Sequence, residues 1–470
     1  MTINITPISN ESFNLNETSS TTINLLNHFD DPLTTGKVAN FNLEDNSLGS
    51  GEINIVLFDQ TGEGAPIAVN NFASYVDGGS YNNSIIDRSF STSQSKYILG
   101  GAYTVENLEV KRITPNAPIE DEFSAQRSNK VGTIAMYKLT DEANSARNRW
   151  VFNVGDNPDF DTRGGGLTVF GQVLSPEDLN TLNAIASLPI TNTSLPVINP
   201  VTSSQFSTLF SRLPVNDNTI ANDFNFPYPS YPFTEDNQFV RFENITIDNV
   251  LEFTFTVESN TDPDVVSASF DNQGNLILDY GSSLKTPLYR FQNQDLPGTY
   301  LFVGEQERQS ILSNFRNFKE EGLAFKTASQ ANGDTIKTGE TDITIKATNL
   351  LGESARQSFK VSVTGDVPEN ENQDQLIRFN RFQNRDIPGT YLYAAEEESR
   401  SIRQNYTNFI EEGIAFYTYG ADANLGQDIY RFQNTSQPGT YLFVGEEEKN
   451  SILANYPQFV LEGVAFEVAI

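Results

Sequence analysis

The sequence predicts a mainly β, multidomain protein: a closed β-barrel with covering helices, a β-sandwich, and a module of three β-β-α-β repeats. Three observations lead there. The chain has 470 residues, enough for about three domains at roughly 150 residues each. Stretch after stretch alternates apolar and polar residues between Gly-, Pro- and Asn-containing turns, the period-two signature of half-buried strands. One segment of the C-terminal part recurs three times, which marks a copied supersecondary unit.

Composition narrows the function. Lys and Arg number 30 against 61 Asp and Glu, a net charge of −31, so nucleic-acid backbones and anionic lipid surfaces are repelled and are not expected as partners. With no cysteine and the single histidine His28, disulfides, thiolate nucleophiles, iron–sulfur clusters and histidine-cluster metal sites are excluded, and no cofactor is implied. His28 sits in the polar stretch NHFDDP and reads as a surface or strand-end imidazole. No run of about 18 apolar residues occurs, so no membrane span is expected. Residues 1–34 are assigned as an N-terminal extension. They show neither the basic nor the apolar region of a conventional signal peptide. High acidity and abundant Asn, Ser and Thr lean toward an extracellular or cell-surface location, with a cytoplasmic one as the alternative.

In the N-terminal half, Ile53, Ile55 and Leu57 alternate along a strand. A helix follows in APIAVNNFASYVDGG (65–79): Pro66 suits the first helical position, Val69, Phe72, Ala73 and Val76 recur at three-to-four-residue spacing, and Gly78 stops it. Strand candidates come next at 85–90, 97–103, 132–138, 149–154 and 167–173, a set that suits a closed barrel. Ser175 caps a second helix with Pro176 at its first position and Leu179, Leu182 and Ile185 on one face. Residues 190–238, rich in Ser, Asn and Pro, read as an expanded loop before a last strand, QFVRFENITI.

In this order the words resemble the cyclophilin-type peptidyl-prolyl isomerases, over residues 35–250. They are Leu57-Phe58 ending a strand, Ala65-Pro66 opening a helix that holds Asn71-Phe72, and Gly78-Gly79 before Tyr81. Arg88 on a strand follows, then Gly100-Gly101, Gly132-Thr133 before Met136, Asn144-Ser145-Ala146, and Val169-Phe170-Gly171 before Val173. The resemblance implies rotation about X–Pro bonds of protein or peptide substrates, against an amide barrier of roughly 18–20 kcal/mol. That chemistry requires no nucleophile. A guanidinium beside the prolyl amide and an apolar pocket for the ring suffice. Arg88 matches the family's catalytic arginine, and Tyr97, Leu99, Met136, Arg149, Val151, Phe160 and Leu167 are assigned to the substrate-binding wall. Several positions depart from the family pattern. Lys96, Tyr97 and Leu99 stand where it favours an aromatic, an apolar residue and Gln; Val151 replaces a pocket aromatic and Tyr137 a small residue. Phe160 and Leu167 fall where it has Leu and often His. These departures predict a reshaped pocket and attenuated turnover.

Residues 251–287 and 328–366 carry strand-turn-strand patterns. With Ala347-Thr348-Asn349 at a turn and Phe359, Val361 and Val363 on a closing strand, they resemble the halves of a bacterial immunoglobulin- or cadherin-like sandwich, interrupted by the first repeat. The repeats are assigned to 288–327, 377–420 and 428–470. From Arg290 to Phe325, Arg381 to Phe416 and Arg431 to Phe466 the unit keeps one length of 36 residues. Such a unit cannot bury both faces alone, so the copies are expected to pack together, with pseudo-threefold symmetry. Residues 366–376 read as a polar linker. The runs Glu396–Glu398 and Glu446–Glu448 read as solvated helix starts rather than calcium loops.

Two functions compete. One is prolyl isomerisation through Arg88; the other is a non-catalytic cyclophilin-like peptide-binding or surface/adhesion protein whose repeats bind a surface polymer. Tyr and Phe at alternating repeat positions read first as core.

Overall fold

The computed structural model describes residues 2–139, 141–217, 231–368 and 375–469. The chain divides into two compact units, one of Met1–Asn4, Asp30–Phe253 and Thr348–Glu353, the other of Ile5–Phe29, Thr254–Ala347 and Ser354–Ile470. Among the described residues no helix is long and apolar enough to cross a membrane.

The first unit is built on a thirteen-stranded sheet. Eight consecutive strands form its curved wall, in spatial order Arg241–Asn249, Lys37–Leu43, Glu52–Leu57, Val169–Val173, Thr133–Met136, Trp150–Asn153, Lys96–Gly100 and Arg88–Ser91. Alternate residues turn inward, so Phe41 meets Trp150 at 5.4 Å, Phe152 at 5.2 Å and Phe242 at 5.3 Å between ring centroids. All four rings are fully buried, each contributing about 1.5–3 kcal/mol by leaving water. Gly100 is required beside this cluster, because a Cβ there would lie 2.2 Å from Trp150 Cη2. The sheet is nearly closed: its two end strands, Arg88–Ser91 and Gln205–Pro214, meet where Arg88 Nη2 donates to Ser211 Oγ at 2.9 Å.

Two helices cover the wall. Pro66–Asp77 starts at the expected proline and buries Ala68, Val69, Phe72 and Tyr75. Its first turn lacks a side-chain cap of its own; Glu122 serves instead, accepting from Ile67 N at 3.0 Å and Ala68 N at 2.8 Å, a carboxylate at the positive end of the helix. Pro176–Ala186 is capped by Ser175 Oγ, which accepts from Asp178 N at 3.2 Å.

The expanded loop expected over 190–238 is corrected. Ile190–Ile198 and Gln205–Pro214 pair as a long antiparallel hairpin, continuous with the main sheet through the parallel contact of Val110 with Val197. Residues 218–230 of that segment lie outside the described residues. Polar residues such as Thr191, Asn192, Thr193 and Ser194 weaken the apolar alternation, which is why the hairpin reads as loop.

One corner of this unit gathers acids. Burial pushes the Glu252 carboxyl up to about 7, with Asp31, Asp30 and Asp59 adding like charge. A carboxyl whose folded value exceeds its unfolded one binds protons more tightly when folded, so stability is lost as pH rises from about 4.5 through about 7. Glu252→Gln is therefore expected to raise the unfolding midpoint at pH 8 and to leave it near wild type at pH 4.5. Trp150, the single tryptophan, reports the transition by fluorescence. An equal effect at both pH values would refute this.

The second unit contains two small sheets and the repeats. Phe253–Asn260, Gly339–Asn349, Ser354–Thr364 and Glu11–Asn14 form one sheet; Ser267–Phe270, Asn275–Asp279 and Ser20–Asn24 form the other. Phe255 meets Phe270 at 6.1 Å and Phe13 stacks on Tyr280 at 4.8 Å, joining the two faces. Residues 11–24, within the segment assigned as an extension, thus supply a strand to each sheet. His28 is half-buried, its Nδ1 3.1 Å from Thr6 O.

Each repeat runs strand, strand, helix, strand: Thr286–Asn293, Tyr300–Val303, Glu305–Asn314 and Phe318–Thr327 in the first, with the same order from Leu376 and from Gln427. Phe302, Tyr393 and Phe443 share one core with Phe325, Phe416 and Phe466. Arginines close a ring around it. Arg290 pairs with Glu321 of its own repeat and Glu448 of the third, Arg381 with Glu412 and Glu307 of the first, and Arg431 with Glu462 and Glu398 of the second. The acid runs do begin helices, and their third members also carry these inter-repeat pairs. Of the polar linker, residues 369–374 lie outside the described residues.

Candidate active site

Arg88 opens its strand, and antiparallel register sets it opposite Leu99. Leu99 faces Val151, Val151 faces Ala135, and Ala135 faces Val169 on successive strands. A row of small and branched side chains therefore crosses the sheet on the face turned away from the barrel core, with the guanidinium at its end. Phe90 and Tyr97 form a second pair beside it.

Tyr97, Leu99, Val151, Phe160 and Leu167 meet in one apolar cluster with Tyr137 and the half-buried Phe90. Phe160 sits on the short 3-10 turn Pro158–Asp161, and Leu167 N donates to its carbonyl at 2.8 Å, which clamps the loop that bears both. The rings form a ladder: Phe90 stacks on Tyr97 at 5.1 Å, Tyr97 tilts against Phe160 at 5.1 Å, and Phe160 meets the Tyr137 edge at 6.4 Å. Guanidinium groups cap both ends, Arg212 over Phe90 at 4.7 Å and Arg163 over Tyr137 at 4.9 Å. Tyr97, Leu99, Val151, Phe160, Leu167 and Tyr137 are each less than a tenth exposed. The cluster thus offers a substrate chiefly the edges of Tyr97, Tyr137 and Phe160.

Met136 is corrected. It pairs with Trp150 across the strands and turns into the barrel core, 1% exposed, while its neighbours Ala135 and Tyr137 take the site face. A period-two alternation permits no other result once Ala135 faces outward. Arg149 lies at the rim, ion-paired with Asp87 and 5.5 Å from the centre of the Tyr137 ring. Burial raises the Asp87 carboxyl, against the pull of Arg149 and Arg88. Burial likewise raises the Tyr97 phenol, with Tyr137 adding to it and the Arg88 guanidinium opposing. No carboxylate pairs with Arg88 among the described residues; its side-chain partners are the hydroxyls of Ser211 and Tyr97.

Sequence reasoning missed Phe90, Ser211 and Arg212. Phe90 was accessible, since two residues after Arg88 on one strand is the same face. Ser211 and Arg212 arrive from 123 residues away in the unrecognised hairpin, and no local signal points to them. Among the described residues no group of three or more His, Asp or Glu is gathered to hold a metal ion.

Comparisons with known proteins bear on this geometry. A family model described as cyclophilin type peptidyl-prolyl cis-trans isomerase/CLD matches residues 41–205. A domain of unknown function, DUF5648, matches residues 232–337 and 355–469. Peptidyl-prolyl cis-trans isomerase A of Dickeya dadantii (strain 3937) is 34% identical over 130 residues, 27% of this chain and 63% of the relative. A peptidyl-prolyl cis-trans isomerase of Acinetobacter baylyi is 33% identical over 141 residues, 30% of this chain and 69% of the relative. Among solved structures, a Cryptosporidium parvum cyclophilin type peptidyl-prolyl cis-trans isomerase determined in the presence of the dipeptide Ala-Pro aligns with 16% identity and a TM-score of 0.29, over 45% of this chain and 99% of that one.

Proposed function

Since the chain belongs to the cyclophilin-type peptidyl-prolyl cis-trans isomerase family, we propose that its first unit isomerises X–Pro bonds of protein or peptide substrates, at an attenuated rate. The observation that carries this reading is Arg88, at the end of an apolar row, free of any paired carboxylate among the described residues and held by the hydroxyls of Ser211 and Tyr97. A guanidinium there can hydrogen-bond the prolyl amide and favour localising the nitrogen lone pair, which weakens the resonance that sets the barrier. Arginine suits the role because it stays charged and offers a fixed fork of donors. The attenuation follows from the wall: Val151 is smaller than the aromatic the family favours, and the Tyr137 and Phe160 rings occupy space in front of it.

The test is a prolyl-isomerase assay on the full chain beside Arg88→Ala. Loss of one preorganised donor typically costs about 10²–10³-fold in rate, and a loss of that size is expected here with the fold retained. A folded wild-type chain that does not exceed the uncatalysed rate would sink the enzyme reading and leave non-catalytic peptide binding in its place.

The sandwich is read as immunoglobulin- or cadherin-like on its strand pattern. For the repeats, polymer binding is a second reading, supported by Phe315, Tyr406 and Tyr456, which occupy the equivalent position after each repeat helix and are about half exposed. Aromatic faces at regular intervals suit stacking on a repeating ligand. Retention on immobilised polysaccharides, lost when all three are changed to Ser, tests it.

A further inference from the structure

Beside the aromatic ladder lies a second cleft of about 350 Å³, lined by Arg112, Arg147, Arg149, Tyr137, Leu139 and Glu142 among others. It shares Tyr137 and Arg149 with the candidate active site. Three guanidinium groups converge on one cleft in a chain whose net charge is −31. Arg149 is ion-paired with Asp87, although its Nε is buried without a hydrogen-bond partner among the described residues. Among the described residues Arg147 has only a backbone partner for its guanidinium, Nη1 donating to Asn116 O at 2.7 Å, and it is exposed. Arg112, at the exposed end of the strand Glu109–Arg112, has no ion pair among the described residues. One carboxylate, Glu142, lines the cleft against the three, and it makes no ion pair with them. Among the described residues, two guanidinium groups of this cleft beside the candidate active site therefore lack an acid.

We propose that this cleft binds the carboxylate of an acidic substrate residue flanking the proline, so that the protein prefers acidic X–Pro sequences. The inference rests on the isomerase reading of the adjoining site. Arg112 and Arg147 supply charge-assisted, fork-shaped donors that match a carboxylate, while Tyr137 and Leu139 receive the side-chain stem. The overall negative charge of the protein repels an acidic peptide at long range, so a preference for one needs a local source such as these arginines.

The test compares blocked peptides carrying Glu, Gln or Lys at positions within three residues before or after a single proline, on the full chain. For at least one position the ratio of kcat/KM for Glu over Gln is expected to be about tenfold, the effect of one charge-assisted hydrogen bond near the surface. The ratio should shrink between 50 and 500 mM salt and fall to one in Arg112→Gln/Arg147→Gln. Equal rates for Glu and Gln, or a Glu preference that survives in the double variant, would overturn the proposal. If no peptide is turned over, binding of the same peptides is measured by calorimetry. Tighter binding of the Glu peptide then upholds the anionic cleft while the isomerase reading fails; equal or undetectable binding overturns the cleft as well.

Discussion

Methionine in place of Lys138 is expected to lower the stability of the first unit by about 3–5 kcal/mol, read from the denaturant dependence of Trp150 fluorescence. Lys138 is 0% exposed, and its Nζ donates to Asp121 Oδ2 at 2.6 Å, to Gly164 O at 2.7 Å and to Gly166 O at 3.0 Å. All three protons of the ammonium are used. Asp121 in turn accepts from Asn144 N at 2.8 Å through the same oxygen, while its other oxygen is buried without a partner. Removing the ammonium leaves a mostly buried carboxylate and two carbonyls unpaired, the costly direction of change for a buried pair. Gly164 and Gly166 sit at φ +56° and +96°, so between its short 3-10 turns the loop follows a left-handed path with little repetitive structure to fall back on. Phe160 and Leu167 bracket those glycines, and peptide affinity should fall with them. The double variant Lys138→Met/Asp121→Asn should recover more than half of the loss, because the stranded charge is gone. A single variant that costs under about 1 kcal/mol, below the range for a broken buried pair, would show that the ammonium is not what holds this loop.

What the sequence discloses and what it hides divide along range of interaction. The helix from Pro66 to Gly78 and the capped helix after Ser175 are local events, and both occur where proline, glycine and serine place them. The inward residues Ile53, Ile55 and Leu57 follow from alternation alone. Alternation fixes two faces but not which is which, and Met136 was assigned to the wrong one; only its pairing with Trp150 decides the matter. The strands Glu11–Asn14 and Ser20–Asn24 are short, polar edge strands, so they carry little apolar signal. The role of Lys138 has no local signal in the strand candidate 132–138, because its three acceptors lie 17 to 28 residues away. Ser211 is further still. The active-site face was legible as a set of residue types; its charges and their partners were not.

The repeats make the same point through their differences, and lead to the second large effect. At one helix position the copies carry Arg308, Ser399 and Lys449, and at one strand position Tyr289, Asn380 and Tyr430. These change together: the Arg308 guanidinium lies 4.4 Å over Tyr289, Ser399 Oγ accepts from Asn380 Nδ2 at 2.9 Å, and Lys449 Nζ lies 3.9 Å over Tyr430. Ser399 Oγ also donates to Ala394 O at 3.1 Å and Lys449 Nζ to Glu446 at 2.7 Å, but Arg308 carries the heaviest load. Its Nε donates to Glu320 at 2.6 Å, and its Nη1 donates to Phe255 O at 2.9 Å and reaches Glu305 at 3.2 Å. The side chain is 4% exposed. Arg308→Met should therefore cost the second unit about 3–5 kcal/mol, since Glu305 and Glu320 keep their charges with nothing to answer them. Arg381 offers the internal control. It also bridges two glutamates, Glu307 and Glu412, but is 20% exposed and its partners are 43% and 30% exposed. Water can replace much of what is lost there, and Arg381→Met should cost about 1 kcal/mol, the upper end for exposed pairs. Near-UV circular dichroism of the tyrosines against urea would rank the two. If burial governs, Arg308→Met costs more than Arg381→Met by a clear margin. Equal costs would mean that desolvation of the stranded glutamates is not the governing term, and that the shared ring geometry sets both.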